Sequence, residues 1–245
     1  MMTTLGGRNG AVAKRQSGRA TASVAPVTPA ERGARRREKT RRALLDAARE
    51  VIGEKGVDAA TIGEIAERAD VGFGSFYNHF ESKDDLVDAL MAEAVAAHRD
   101  YIDTVNLRFD KPAELLANAT RMTVHMAAVD ALWGALVLRL AAGRFDLVAP
   151  LSVGLERDIR NGIAGGQFTD ANPALLMAVV AGSVFSMMAG CLSGHFDEED
   201  EWAFAESILR QVGVAPAAAR TTVKRVRATQ PVPISEPETP MRAIR

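Results

Sequence analysis

The chain has 245 residues, 47% of them hydrophobic, which is enough for a sizeable core. Only 5% are aromatic while Ala is abundant, a balance that favours helices over sheets. One cysteine, Cys191, rules out an internal disulfide framework, and with only four His beside it no zinc ligand set or other cofactor site is expected. The net charge of −1 conceals segregation: residues 1–42 hold eleven Lys/Arg against two acids, residues 215–245 six against two, and the body between them thirteen against twenty-seven. An acidic body with a basic N-terminal arm suits a nucleic-acid partner at one end only.

Residues 1–34 are polar and rich in Gly, Ala and Thr, so they read as a disordered basic arm and not as a secretory leader; the expected location is cytoplasmic. The first helix is expected from Arg36 to Lys55, with Leu44, Leu45, Ala48, Val51 and Ile52 in one apolar stripe and Gly56 as its left-handed stop. A second helix starts at Thr61, where Glu64 three residues on makes a capping box, and ends near Asp70, where Gly72 permits a sharp turn. A short helix over Phe73–His79 follows, with Phe76 and Phe80 on one face. Ser82 and Asp85 then cap a long helix from Lys83 to about Val105.

Helix, Gly-bearing turn and short helix within the motif 61–80 form a helix-turn-helix pattern. The second helix of such a pair enters a DNA major groove while the first braces it. A helix this short is marginal alone, so Phe76 and Phe80 must hold it. That leaves Phe73, Ser75, Tyr77, Asn78 and His79 to face outward.

The run T-I-G-E-I-A-E-R-A-D-V-G-F-G-S-F-Y-N-H-F-E-S-K-D-D-L, Thr61 to Leu86, resembles the tetracycline-repressor-like (TetR) family, and the similarity extends back to Arg36. The resemblance implies an all-α protein: a three-helix DNA-binding domain over 35–82, then a helical ligand-binding and dimerisation domain over 83–214. It further implies a homodimer on a double-stranded DNA operator and a small-molecule effector that releases a repressor. Thr61 matches a capping position that touches phosphate, Gly74 a small residue allowing close approach, and Ser75 a contact to phosphate or base. Tyr77, His79 and Lys83 match phosphate-directed positions. Two residues depart from the pattern. Gly72 stands where Ser is common, removing a side-chain cap, and Phe73 stands where a polar or basic residue is common, and so can meet a thymine methyl. Arg36, Arg37 and Arg41, within the basic run 35–42, are expected to supply charge to the DNA.

After Pro112, helices are expected over Ala113–Ala128, Ala131–Ala142 and Phe145 to about Gly162. Met91, Met122, Met126, Trp133 and Phe145, with Arg121, His125 and Arg139 as polar groups, are the expected effector pocket. The uncharged stretch Ala174–Gly194 is long enough to span a bilayer, but no Lys or Arg flanks it. Asn172-Pro173 is an ordinary helix start. Ala178, Gly182, Ser186 and Gly190 recur every fourth position. With Trp202, Ile208 and Leu209 of a last helix, Glu198–Val212, they are the expected dimer interface, buried in protein rather than in a membrane. Residues 215–245, Pro-rich from Thr229, read as a disordered tail. No Ser/His/Asp grouping, phosphate loop or metal spacing points to an enzyme. A non-sensing or activating DNA-binding regulator is the alternative to a ligand-released repressor.

Overall fold

The computed structural model describes residues 28–143 and 145–229. Among them every element is helical: α1 (Pro29–Ala59), α2 (Ile62–Arg68), α3 (Phe73–Phe76), α4 (Lys83–Asn106), α5 (Pro112–Val129), α6 (Ala131–Gly143), α7 (Phe145–Val148), a single 3-10 turn (Ala149–Leu151), α8 (Ser152–Ala164), α9 (Pro173–Leu192), α10 (Glu198–Gln211) and α11 (Pro216–Thr229). The chain divides into two units, 1–39 and 40–245. In the first, the expected disordered arm is helical from Pro29. Thr28 and Glu31 cap each other, with Thr28 N–H on the Glu31 carboxylate at 2.7 Å and Glu31 N–H on Thr28 Oγ1 at 3.2 Å. The sequence carried that signal, a Thr-Pro-x-Glu start, inside a stretch whose composition masked it. Residues 1–27 of the expected arm lie outside the described residues.

In the second unit α5 is the central element, packed against α4, α6, α8, α9, α10 and α11. Its burial is nearly all-round, which is why even Glu114, Asn118, Thr120 and Arg121 are inside. Between α5 and α6 the chain bends by 115°. Asp130 makes the bend by accepting the Trp133 N–H at 3.0 Å as a cap. Gly134 is required there, because a Cβ would lie 2.8 Å from that of Ala127. The single helix expected from Phe145 to Gly162 is instead α7, the 3-10 turn and α8, broken where Pro150 lacks an N–H.

The end of α1 is held by Lys83, the first residue of α4. Gly56 leaves the helical region at φ 81°, as expected of a stop, and a further turn follows to Ala59. The Lys83 ammonium donates to the carbonyls of Val57 at 2.9 Å, Asp58 at 3.3 Å and Ala60 at 2.9 Å. Its three hydrogens therefore serve carbonyls that no helix N–H reaches. In this structure Lys83, expected to serve phosphate, is engaged with the end of α1.

The expected disordered tail over 215–245 is likewise corrected where it is described: Pro216–Thr229 is α11. Ala219, Val223 and Val226, spaced i, i+4, i+7, are buried against α5 and α10. The three arginines of α11 meet acids of the body: Arg225 meets Glu114 at 2.5 Å, Arg220 meets Glu206 at 3.9 Å, and Arg227 meets Glu199. Arg227 also lies over the Trp202 ring at 5.4 Å, while Arg121 covers that ring at 4.5 Å. Much of the C-terminal positive charge is thus internal pairing rather than a nucleic-acid signal.

Ending the chain at Ala215 is expected to cost about 3–6 kcal/mol, the burial of two valines, read as a lower melting temperature; an unchanged melt would deny α11 a structural role. Lys83→Met is expected to destabilise by about 1–3 kcal/mol in chemical denaturation. Normal stability with weakened DNA binding would restore the phosphate role instead.

Candidate DNA interface and effector cleft

The helix-turn-helix is built by local hydrogen bonds. Thr61 caps α2 reciprocally: Glu64 N–H lies 3.3 Å from Thr61 Oγ1 and Thr61 N–H 3.1 Å from Glu64 Oε2. Hydrogen bonds from Lys55 and from Thr61 hold the Glu64 carboxyl down to about 2. α2 ends in a Schellman turn, with Val71 N–H on the Ala66 carbonyl and Asp70 N–H on that of Glu67, both at 3.0 Å. The residue that turns left-handed is Asp70, at φ 54°, not Gly72, whose φ is −63°. The sharp turn expected at Gly72 therefore sits two residues earlier. Gly72 is instead the start of α3 and, as expected, offers it no side-chain cap.

α3 is one turn, shorter than the expected Phe73–His79, with bends continuing to His79. Phe76 is fully buried and packs on Phe80 at 5.7 Å between ring centroids. Arg41 covers the Phe80 ring at 5.4 Å while its guanidinium binds Glu93 at 2.9 Å. Arg41, expected to face DNA, is thus half-buried and engaged inside the protein. Phe73 and Tyr77 point out, 56% and 52% exposed, and meet edge to face at 5.7 Å. Asn78 is exposed, and Ser75 and His79 are half-buried beside them. A Cβ added to Gly74 would meet nothing within 4 Å, so nothing inside the protein requires glycine there. Arg36 and Arg37 are exposed in the unit 1–39.

A cleft open to solvent lies between α4, α5, α8 with the preceding 3-10 turn, and α9. Its wall is mainly apolar, from Ile102, Leu116, Leu155, Val184 and Phe185, with His98, Asn106, Thr123, Arg157 and Asp158 interspersed. None of the expected pocket residues lines it. Met91, Met122, Met126 and Trp133 are core. Arg121 binds Glu201 at 3.1 Å and Glu198 at 3.3 Å, and His125 binds Glu201 at 3.0 Å. Burial lowers the Arg121 pKa and the two carboxylates oppose it. Arg139 pairs with Asp58 at 3.0 Å, and the Phe145 side chain lies outside what is described. Apolar size and helical spacing do not distinguish core from cavity wall.

The residues the cleft does use had a readable signal. The buried stripe of α4, through Leu90, Met91, Ala94 and Val95, continues to His98 and Asn106. Polar groups on such a stripe need partners. Burial alone lowers the His98 pKa to about 4, so the ring is neutral. Burial likewise raises the Asp158 carboxyl, against Arg157, whose Nε donates to it at 2.9 Å.

The expected dimer surface divides. Ala178, Gly182 and Ser186 are exposed on α9, beside Leu175 and Val179. Gly190 is covered by the ring of Phe196. Trp202, Ile208 and Leu209 are buried within the protomer, because they form the face of α10 that meets α5 and α11. This corrects their assignment to an interface. α9 is long and apolar enough to cross a bilayer, with mean hydropathy 2.1.

The comparisons agree with this architecture. Residues 44–90 match the model for bacterial regulatory proteins of the tetR family, and residues 111–225 that for the tetracyclin repressor-like C-terminal domain. A solved structure of RolR in complex with the ligand resorcinol is 31% identical, with TM-score 0.65, covering 83% of this chain and 100% of that one. The regulator FadR from Bacillus subtilis, solved with stearoyl-CoA, shares the fold at 20% identity and TM-score 0.60, over 71% of this chain and 98% of its own. The transcriptional regulator LuxR of Vibrio harveyi is 28% identical over 120 residues, 49% of this chain and 58% of LuxR. The repressor KstR2 of Mycolicibacterium smegmatis is 32% identical over 97 residues, 40% of each chain. The match thus spans less than two thirds of these two curated relatives. With both family models matched in order along one chain, and RolR covered throughout its length, the protein belongs to the TetR family of transcriptional regulators.

Proposed function

We propose that this chain is a cytoplasmic, homodimeric repressor that binds an operator through α3 and leaves it when a small molecule fills the cleft; its role is regulatory, not catalytic. The observation that carries the reading is the double duty of α4. Its first residue, Lys83, grips the end of α1, and its far half, from His98 to Asn106, walls the cleft. A helix of 24 residues is a rod about 36 Å long, so a ligand that displaces one end moves the other. In a dimer that movement changes the spacing of the two recognition helices, and only one spacing fits both half-sites.

Thr61, Gly72, Phe73, Gly74, Ser75, Tyr77, Asn78 and His79 are the contact set, with Arg36 and Arg37 adding charge. The exposed Phe73–Tyr77 pair gives the reading head an apolar tip suited to thymine methyls. The exposed apolar face of α9, with Leu175 61% exposed, is covered by the same face of a second copy rather than by lipid. RolR's complex makes resorcinol the first effector to try.

A gel-shift titration against DNA upstream of its own gene tests the whole reading: a salt-sensitive, sequence-specific shift is expected, and its absence from folded dimer would sink it. Gly74→Ala is expected to melt no lower than the parent, since Ala favours helix and meets open space, yet to bind the operator at least ~10-fold more weakly. Leu175→Glu with Val179→Glu is expected to give monomers in analytical ultracentrifugation and to abolish operator binding. Persistent dimers would place the interface elsewhere.

A further inference from the structure

Two polar atoms of the cleft residues are buried without a hydrogen-bond partner, and neighbouring bonds fix what each one needs. Thr123 Oγ1 donates its only hydrogen to the Ala119 carbonyl, 2.9 Å away. At its 3.1 Å contact with His98 Nε2 it can therefore only accept, so Nε2 carries the ring hydrogen and Nδ1 is a bare acceptor. His98 is 1% exposed, and Nδ1 is unpartnered. Asn106 is the converse case. Its Oδ1 accepts from Asn118 Nδ2 at 2.7 Å, while its own Nδ2 is buried with no acceptor. An orphan of either kind costs about 1–3 kcal/mol, and these two belong to residues that line one cleft, where a bound molecule can complete them.

Most of the remaining polar lining is already engaged. Thr120 donates to the Leu116 carbonyl at 2.7 Å. Arg157 spans Asp158 at 2.9 Å and Asp103 at 3.8 Å, and Arg99 pairs with Asp100 at 2.9 Å. Each guanidinium already faces a carboxylate, so an anionic ligand would have to compete with Asp103 and Asp158 for Arg157. His98 and Asn106 stand eight residues apart on α4, about 12 Å along the axis, with Ile102 between them. One ring with two opposed substituents, plus a hydrogen bond of about 3 Å at each end, is of the same length as that rise.

Resting on the effector reading above, we infer that the cleft selects a neutral ligand with an apolar middle. One end presents a hydroxyl or N–H to His98 Nδ1, and the other presents an oxygen acceptor to Asn106 Nδ2. This specifies a hydrogen-bonding pattern and two specificity-determining residues. A fatty acyl chain, which has no donor at one end, does not fulfil it, and a carboxylate supplies the acceptor but not the neutrality.

The test uses the full chain and four matched probes: 4-hydroxyacetophenone, its methyl ether, 4-ethylphenol and 4-hydroxybenzoate. Calorimetry and thermal shift should show 4-hydroxyacetophenone binding at least ~10-fold more tightly than each of the others. His98→Phe, which keeps a ring against Trp133 at the present 4.7 Å contact, should erase the preference over the ether and leave that over 4-ethylphenol. Asn106→Leu should do the reverse. Thr123→Val leaves the imidazole in place but frees its tautomer, and should shrink the preference over the ether even if His98→Phe fails to fold. Equal binding of the ether or the benzoate, or preferences untouched by these variants, would overturn the inference. If 4-hydroxybenzoate or stearoyl-CoA binds and releases operator DNA, the effector reading survives and the inference fails. If no probe, resorcinol included, binds at millimolar concentration to protein that holds its operator, both fail.

Discussion

The contact on which the arrangement turns is the ammonium of Lys83 seated on three carbonyls at the end of α1. α1 stops at Gly56, resumes for one turn, and leaves its last carbonyls without helical donors. A lysine at the first position of α4 supplies three donors at once. The same position carries the positive charge against the favourable direction of α4's own dipole, which prefers acids at its start; Asp84 and Asp85 restore that balance. The gain at the end of α1 therefore has to exceed the loss at the start of α4, and the two helices are fixed to one another as a consequence. Any displacement of α4 is passed to α1, and through the packed Leu44–Phe76–Phe80 core to the recognition turn.

The packing of α10 on α5 is held by charge as well as by apolar contact. Arg121 and Glu201 are both buried, and such a pair is retained only where further partners share the desolvation cost. Here His125 and Glu198 join the pair, and Trp202 offers Arg121 its ring face. α11 closes over the same tryptophan with Arg227. The ionic cluster and the C-terminal helix thus form one structural feature. It explains why Arg121 and His125, which the sequence offers as pocket groups, are consumed elsewhere.

Much of this was legible without coordinates, and the limits have physical reasons. The capping box at Thr61, the N-cap at Ser82, the stop at Gly56 and the paired Phe76 and Phe80 are local signals, and local contacts honour them. α11 escaped because its three buried residues are small and few, and because the acids that neutralise its arginines lie on α5 and α10, far away in sequence. The helix break at Pro150 was readable from one residue but was outweighed by an apolar pattern. The cleft was misplaced for a different reason. Methionines and tryptophan at helical spacing describe a buried surface, and burial is shared by core and cavity wall; the discriminating signal is a polar group on an apolar stripe, which His98 and Asn106 supply.

That signal also explains how a family built on one fold can answer to different molecules. The apolar wall sets only size, and hydrophobic fit discriminates weakly between ligands of similar volume. Discrimination comes from buried polar atoms that a wrong ligand leaves unsatisfied, since their penalty in a low-dielectric cavity far exceeds the gain from one more methylene. In this chain the tautomer of His98 is set by Thr123, so the ring cannot exchange donor for acceptor, and the Asn106 carbonyl is occupied by Asn118. Thr123 and Asn118 both lie on α5, which packs against α4, α6, α8, α9, α10 and α11. Selectivity is thereby written on the rigid centre of the unit, while α4, which carries the reading groups, remains the element whose far end meets the DNA-binding helices.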